Sequence, residues 1–463
     1  MADGAVTEVA SRSGFTASLV SEVGKISANA LPERVLERTR HAVLDWLGCA
    51  ISGAQQPSAR ICQDVLRAED SRGVAQIFGT PYRMGARQAA LAGGVASHSQ
   101  DFDDLGMGVH PSVAVLPAVF AVAEEIDASG AAVVEAMLQG YEALKIALTG
   151  VSNSSYARGF HSTGTFGAFA AAVAVGRLLE LDPLRQQYAL GVAGMQASGL
   201  RASFGTMGKH LNAGNAAAAG VLSGKLAAAG FTGPPDVFEH PQGFAAALNA
   251  SASDFDATRP GVAVGERLAV EELMFKLHAA CAGTHSAMIG IRAIRARRRF
   301  AVDEVEEVEL VVPDLVRGIC MIPEPQTGME GMLSLRYTAA LALTDSDTGP
   351  AAFTDERVQD PYLAQVRQLV KVTPAERISE LTMPTEVTIR LKSGETLEAC
   401  VKVFEPRPDE DLPLQWADLE AKFHGLVSPI LGADRSKELV ELVRRFETLS
   451  SIRELTEKTA LPA

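Results

Sequence analysis

The chain has 463 residues, of which 47% are hydrophobic and 21% charged, too many for a single core, which stops growing near about 250 to 300 residues. Its formal net charge of -14 argues against general affinity for nucleic acid or an anionic membrane, because phosphate surfaces select basic faces. The longest apolar runs, such as FGAFAAAVAVG from Phe166 to Gly176, fall short of the ~20 residues that span a bilayer.

The first residues, MADGAVTEVASRSG, carry neither a basic segment nor an apolar core of the secretory type, so a cytoplasmic location is expected. Residues 14 to about 250 read as helices. In PERVLERTRHAVLDWLGCAIS the apolar positions Val35, Leu36, Ala42, Val43, Trp46, Leu47, Ala50 and Ile51 make one stripe, with Pro32 suited to a first turn. Phe166 to Leu179, Gln187 to Gly199 and Asn215 to Ala229 are rich in Ala and Gly, as closely packed buried helices would be. Ser251 to Glu266 is polar, contains Pro260 and Gly261, and is expected to be a linker.

The pattern changes after that segment. Glu306 to Pro313 predicts a strand, and Thr385 to Phe404 alternates around a Lys-Ser-Gly-Glu turn as a hairpin does. Helices are expected at Met329 to Leu343 and from Tyr362 to Val372. Glu405 to Pro413 marks an exit, and Leu419 to Leu455 is helical again. The fold class is therefore mainly α: a large helical domain from both chain ends (1–266 and 406–463) with a smaller α+β lid (267–405) inserted between them.

Five clusters carry titratable groups. HSQDFDDLGMGVHPS, from His98 to Ser112, offers metal ligands, but a magnesium-dependent isoprenoid enzyme would carry D-D-x-x-D twice, and here Leu105, Gly106 and Met107 follow Asp103-Asp104. No metal is expected. The alternative is that these aspartates cap helices and the histidines fill polar gaps. In RGFHSTGTFGAFA, His161 precedes a helix N-terminus, where the neutral imidazole is favoured and anions bind. Lys209 in FGTMGKHLNAG is placed in a loop before a helix, and Lys276, His278 and His285 open the second domain. Tyr337, in GMEGMLSLRYTAALAL, rides on a core-forming helix and by periodicity alone is a packing residue. The five cysteines are an odd number without a C-x-x-C pair, which excludes a disulfide frame or zinc cage and fits a reducing compartment.

HAVLDWLGCAISG, HSQDFDD, HPS, FHSTGTFG, FGTMGK, GFTGP, KLHAACAGTH and SLRY, in that order along nearly the whole chain, resemble the MmgE/PrpD family, which contains 2-methylcitrate dehydratase, cis-aconitate decarboxylase and iminodisuccinate epimerase. The resemblance implies a cleft between helical domain and lid, no metal or organic cofactor, a homodimer, and a small anionic di- or tricarboxylate as substrate. It carries catalytic or binding roles onto Asp101, His110, His161, Lys209, Lys276 and Tyr337. Lys209 and Lys276 would bind carboxylates, His110 and His161 would be the acid/base pair, Asp101 would orient a histidine, and Tyr337 would supply a hydroxyl. Asp103 and Asp104 are left to capping and loop structure. Two departures stand out. Leu105 occupies a position where related sequences often carry a hydroxyl, in a loop about a residue short, and His210-Leu211-Asn212 replaces Pro-x-His after Lys209.

The expected activity is a cofactor-independent lyase acting next to a carboxylate, with a 2-methylcitrate dehydratase as the first choice and a cis-aconitate decarboxylase or iminodisuccinate epimerase as alternatives. An inactive paralogue serving as a binding protein is the alternative of another class.

Overall fold

A computed structural model describes residues 14–69, 71–151, 154–249, 251, 254–255, 267–375, 384–402 and 405–462. Most of the expected linker, 251–266, lies outside the described residues. Helices dominate, and none of those described is long and apolar enough to cross a membrane. The helix Glu33–Gly53 buries nearly every residue from His41 onward, so it forms a spine rather than an amphipathic edge. Around it pack Ala86–His98, Pro111–Ile126, Gly130–Val151, Ser162–Leu178 and Gly208–Ala228.

Small residues set these spacings. A Cβ on Gly94 would lie 2.7 Å from the Gly214 Cα, and one on Gly220 would lie 2.3 Å from the Ala171 Cβ, so neighbouring helices approach to backbone contact and larger side chains there would force them apart. Close helix contact, rather than large side chains, fills the core between these helices. A two-stranded piece, Ala75–Gln76 against Arg83–Met84, interrupts the region read as wholly helical.

The second unit holds a four-stranded sheet in the spatial order Val370–Pro374, Val305–Val312, Thr385–Leu391, Thr396–Val401. The first pair is parallel and the other two are antiparallel. The predicted strand and hairpin correspond to Val305–Val312 and the last two strands. Two helix expectations need correction. Met329 to Leu343 is divided into Gly328–Gly331 and Leu335–Leu343, because Ser334 caps a fresh start by accepting from the Tyr337 N–H. The segment from Tyr362 is helical only over Pro361–Arg367, after which Val370–Pro374 pairs with the sheet; β-branched Val370, Val372 and Thr373 find partners there that local pattern does not reveal.

After Glu405 the chain returns to the first unit. Leu412–Leu431 packs along Glu33–Gly53, and Ala433–Arg444 follows it. Gly432, with φ of 87°, separates the two, so the region expected to be helical is built from separate helices. We divide the chain on this packing into a helical body formed by both ends and an inserted α+β lid.

Candidate active site

Three helix beginnings meet beside the loop that follows Ala86–His98. His110 is the N-cap of Pro111–Ile126, His161 is the N-cap of Ser162–Leu178, and Lys209 lies in the first turn of Gly208–Ala228. Lys209 is thus helical, not in a preceding loop. The His110 N–H donates to the Thr163 hydroxyl at 3.2 Å, tying the first two helix starts together. The positive ends of the helix dipoles favour an anion at such a point.

A cavity of about 120 Å³ opens there, bordered by His110, His161 and Lys209 on the body side and by Cys281 and Cys320 on the lid side. A second cavity of about 390 Å³, bordered by Lys276, His278 and His285, lies beside it. Leu105 and Ala282 border both and form the partition. Backbone bonds fix Leu105 in place, since it exchanges N–H and carbonyl with Met274 at 2.9 and 2.8 Å. The shortened loop closes as a tight turn, with Met107 and Gly108 at φ of 55° and 77° and Gly106 and Val109 bonded in both directions at 2.9 Å.

Asp101 links the two lysines. Its Oδ2 accepts from Lys209 Nζ at 2.7 Å, its Oδ1 from Lys276 Nζ at 2.5 Å, and its carbonyl from Lys276 at 2.9 Å. All three side chains are buried. Burial alone would raise the Asp101 carboxyl, but the two ammonium groups hold it well below the usual carboxylate range. The Lys276 ammonium is correspondingly raised by Asp101 and Asp103, against its own desolvation.

Asp103 does not fall back to capping. Its Oδ1 accepts from His98 Nδ1 at 3.0 Å, and Oδ2 lies 2.8 Å from His110 Nδ1. That same nitrogen lies 2.8 Å from the Asp104 carbonyl, toward which its N–H is aligned, so the Asp103 contact is electrostatic rather than a second directed bond. Two oxygen neighbours place a proton on His110 Nδ1, so in the neutral ring the lone pair is on Nε2. The imidazoles hold Asp103 well below its ordinary value despite burial. Asp104 differs: burial and the nearby Asp45 push it up to about 8, and it is bonded to Ser112, which in turn meets Tyr141. Asp103 caps no helix, whereas Asp104 Oδ1 accepts from the Ser112 N–H at 3.3 Å and so caps the first turn of Pro111–Ile126. Both are buried because the turn after His98 folds inward, a tertiary fact with no signal in local spacing.

His98, Asp101, Asp103 and His110 each bring a ligand atom within 4.8 Å of the others, the spacing of a cation cage. The Asp101 carboxylate is already engaged by two ammonium groups and that of Asp103 lies against two imidazoles, so a metal ion there would have to compete with the lysines for Asp101.

Burial depresses the other histidines, His98 to about 4 and His210 to about 3, and lowers His161 well below its ordinary value, with His98, Lys209 and His110 adding to the effect. His161 Nδ1 meets the amide nitrogen of Asn212 at 3.1 Å. The other departure after Lys209, His210, bonds Ser58 at 3.0 Å and does not border the first cavity.

Tyr337 is not brought to the site. It is fully buried in the lid core, its hydroxyl donating to the Ala352 carbonyl at 2.6 Å and its ring edge-on to Phe353, as its core-forming helix foretold. The tyrosine that borders the cavity is Tyr156, under the Arg201 guanidinium at 4.0 Å from its ring centroid. Cys281 and Cys320, far apart in sequence, stand side by side in the lid wall, where the Cys320 thiol lowers that of Cys281 while its own is raised. Neither Tyr156 nor this pair had a signal in spacing.

Comparison with known proteins identifies the family. Residues 17–255 match the MmgE/PrpD N-terminal domain and residues 278–448 the MmgE/PrpD C-terminal domain. The chain belongs to the MmgE/PrpD family. Among its relatives is the cis-aconitate decarboxylase of Aspergillus terreus (strain NIH 2624 / FGSC A1156), 26% identical over 97% of this chain and 97% of that protein. Those of Mus musculus and Homo sapiens are 27% and 26% identical, over 95% and 96% of this chain and 92% and 94% of theirs. As an MmgE/PrpD protein, the chain spans nearly the full length of these lyases.

Proposed function

We propose that the chain is a lyase that uses its own side chains, without metal or organic cofactor, to decarboxylate a small tricarboxylate of the cis-aconitate type. The observation that carries the reading is the meeting of Lys209, His110 and His161 at three helix N-termini around one small cavity. Likeness to cis-aconitate decarboxylases along nearly the whole chain supports the choice of reaction.

A substrate carboxylate fits against Lys209, whose ammonium keeps two N–H groups beyond the one given to Asp101, and against the helix N-termini. When the carbon–carboxylate bond breaks, carbon dioxide leaves and its electron pair stays on the carbon, spreading into the neighbouring carboxylate. A fixed positive charge at that position lowers the barrier. A proton from a cavity histidine then reaches the carbon. Lys276, on the far side of Leu105, acts through Asp101, which holds Lys209 in register.

One observation favours a second reading. His110 is held with a bare Nε2, a base that decarboxylation does not need but that dehydration of a 2-methylcitrate-type substrate does. Both readings are separated by one experiment: the protein is offered citrate-like, aconitate-like and amino- or iminodicarboxylic acids in deuterated water, with and without chelator, under proton NMR. Loss of a carboxylate from the aconitate-like acid, unaffected by chelator, is expected. Alkene signals from the citrate-like acid alone would replace the decarboxylase by the dehydratase, and silence throughout would favour a binding protein.

A further inference from the structure

We infer that Asn212 is a positioning residue that fixes the proton of His161 on Nε2 and so makes that histidine the acid of the pair. The inference rests on His161 belonging to the reaction cavity, and it assigns a role to one of the positions where this chain departs from the Pro-x-His pattern.

The orientation of the Asn212 amide decides the matter, and its surroundings fix it. The Ser203 hydroxyl gives its only proton to the Leu200 carbonyl at 2.6 Å. The Asn212 atom that faces this pair, at 3.1 Å from Ser203 Oγ and 3.5 Å from the Leu200 oxygen, meets lone pairs on both sides. It must be the NH2, because a carbonyl oxygen there would face two acceptors. One of its protons serves this pair. The other is directed to His161 Nδ1 at 3.1 Å, which must therefore present a lone pair.

The slot leaves the side chain little freedom. A Cβ on Gly164 would come within 3.3 Å of the Asn212 Cβ, and one on Gly199 within 3.2 Å of its Oδ1, so two glycines clasp the side chain. Gly199 also accepts the His161 N–H at 3.0 Å, which anchors the imidazole to the same wall. Burial and the nearby Lys209 ammonium disfavour a cationic imidazole, and Asp101 favours it. A neutral ring whose Nδ1 accepts must carry its proton on Nε2, the nitrogen left for the cavity.

The two cavity histidines then differ by construction. His110 has its Nδ1 among acceptors and offers a lone pair; His161 has its Nδ1 on a donor and offers a proton. For a decarboxylation, that proton is the one delivered to the product carbon.

The test is two-bond ¹H–¹⁵N correlation on full-length protein labelled in histidine, without substrate, with His161 assigned by the signals lost in His161→Gln. The expected wild-type pattern is an Nε2–H imidazole. In Asn212→Asp, a near-isosteric change that leaves only acceptors, the proton is expected on Nδ1, with kcat reduced about 10²-fold or more and KM changed only a few-fold. An Nδ1–H ring in the wild type would overturn the inference whether or not the variant folds. So would an Asn212→Asp variant that keeps both the Nε2–H signal and full kcat. The wild-type tautomer is read without turnover, so an Nε2–H ring in a protein inactive on every acid offered would bring down the proposed reaction and leave the tautomer assignment standing.

Discussion

Lys276 Nζ donates to both the Oδ1 and the backbone carbonyl of Asp101, at 2.5 and 2.9 Å. Asp101 has φ of 46°, a left-handed conformation uncommon for a residue with a side chain, and the lysine grips both ends of it. Replacing Lys276 by Met should leave a buried carboxylate with one ammonium instead of two. We expect a loss of about 3 to 5 kcal/mol of stability and loss of turnover, read by urea unfolding and by kcat/KM. Unchanged unfolding would show that Lys209 alone satisfies Asp101.

Asp103→Asn tests the carboxylate shared by His98 and His110. The amide keeps the size but removes the charge that holds both imidazole protons on Nδ1. We expect kcat to fall about 10²- to 10⁴-fold with a native circular dichroism spectrum. A variant with wild-type kcat would make Asp103 purely structural.

Asp104 predicts a pH dependence of stability. Its folded value of about 8 lies above the unfolded value near 3.9, so the folded chain binds the proton more tightly. Its contribution is complete below about pH 4 and is lost as pH rises through about 8. In Asp104→Asn that decline should vanish, and the stability difference between variant and wild type should move in the variant's favour from pH 5 to pH 8. Parallel urea midpoints across that range would contradict a raised Asp104.

Leu105 divides the two cavities, and its side chain is apolar where related sequences often carry a hydroxyl. Leu105→Thr should lower discrimination against hydroxyl-bearing citrate-like acids relative to unsaturated ones by about tenfold, measured as the ratio of kcat/KM values. An unaltered ratio would remove Leu105 from substrate selection.

Cys281 should be the thiol whose alkylation matters. Lowered by Cys320 beside it and set in the cavity wall, it is expected to react with iodoacetamide ahead of the other cysteines, with loss of activity. Substrate should protect it, and Cys281→Ser should be insensitive. Peptide mass spectrometry identifies the modified site.

Much of the architecture was legible from period and composition, because close helix packing leaves Ala and Gly in a recognisable density and the hairpin alternates strictly. The misreadings share one cause. Residues 370–374 become a strand only because Val305–Val312 offers a free edge, and Ser334 starts a new helix in a run that reads as one. At the site, His110, His161 and Lys209 were legible through ordered motifs. Tyr337 lies in the lid core away from the cavity, where its periodicity alone places it. Tyr156 and the Cys281–Cys320 pair acquire their neighbours through contacts distant in sequence, whereas Asp103 and Asp104 meet His98, His110 and Ser112 within the same loop because the turn folds inward, which spacing along the chain does not encode.

Lys422 on the C-terminal helix Leu412–Leu431 donates to Asp45 at 2.6 Å, to the Phe102 carbonyl at 2.6 Å and to the Lys276 carbonyl at 2.9 Å. Its partner Asp45 is fully buried, pushed up by desolvation, and lies 377 residues earlier in the chain. During synthesis the ribosome therefore releases the acid long before its counter-ion. Until the C-terminal helix emerges, the spine helix carries an acid whose ammonium partner does not yet exist, and the loop bearing Asp101 and the segment leading to Lys276 lack the side chain that fastens them together. The order of translation thus makes the candidate site one of the last parts of the molecule to assemble.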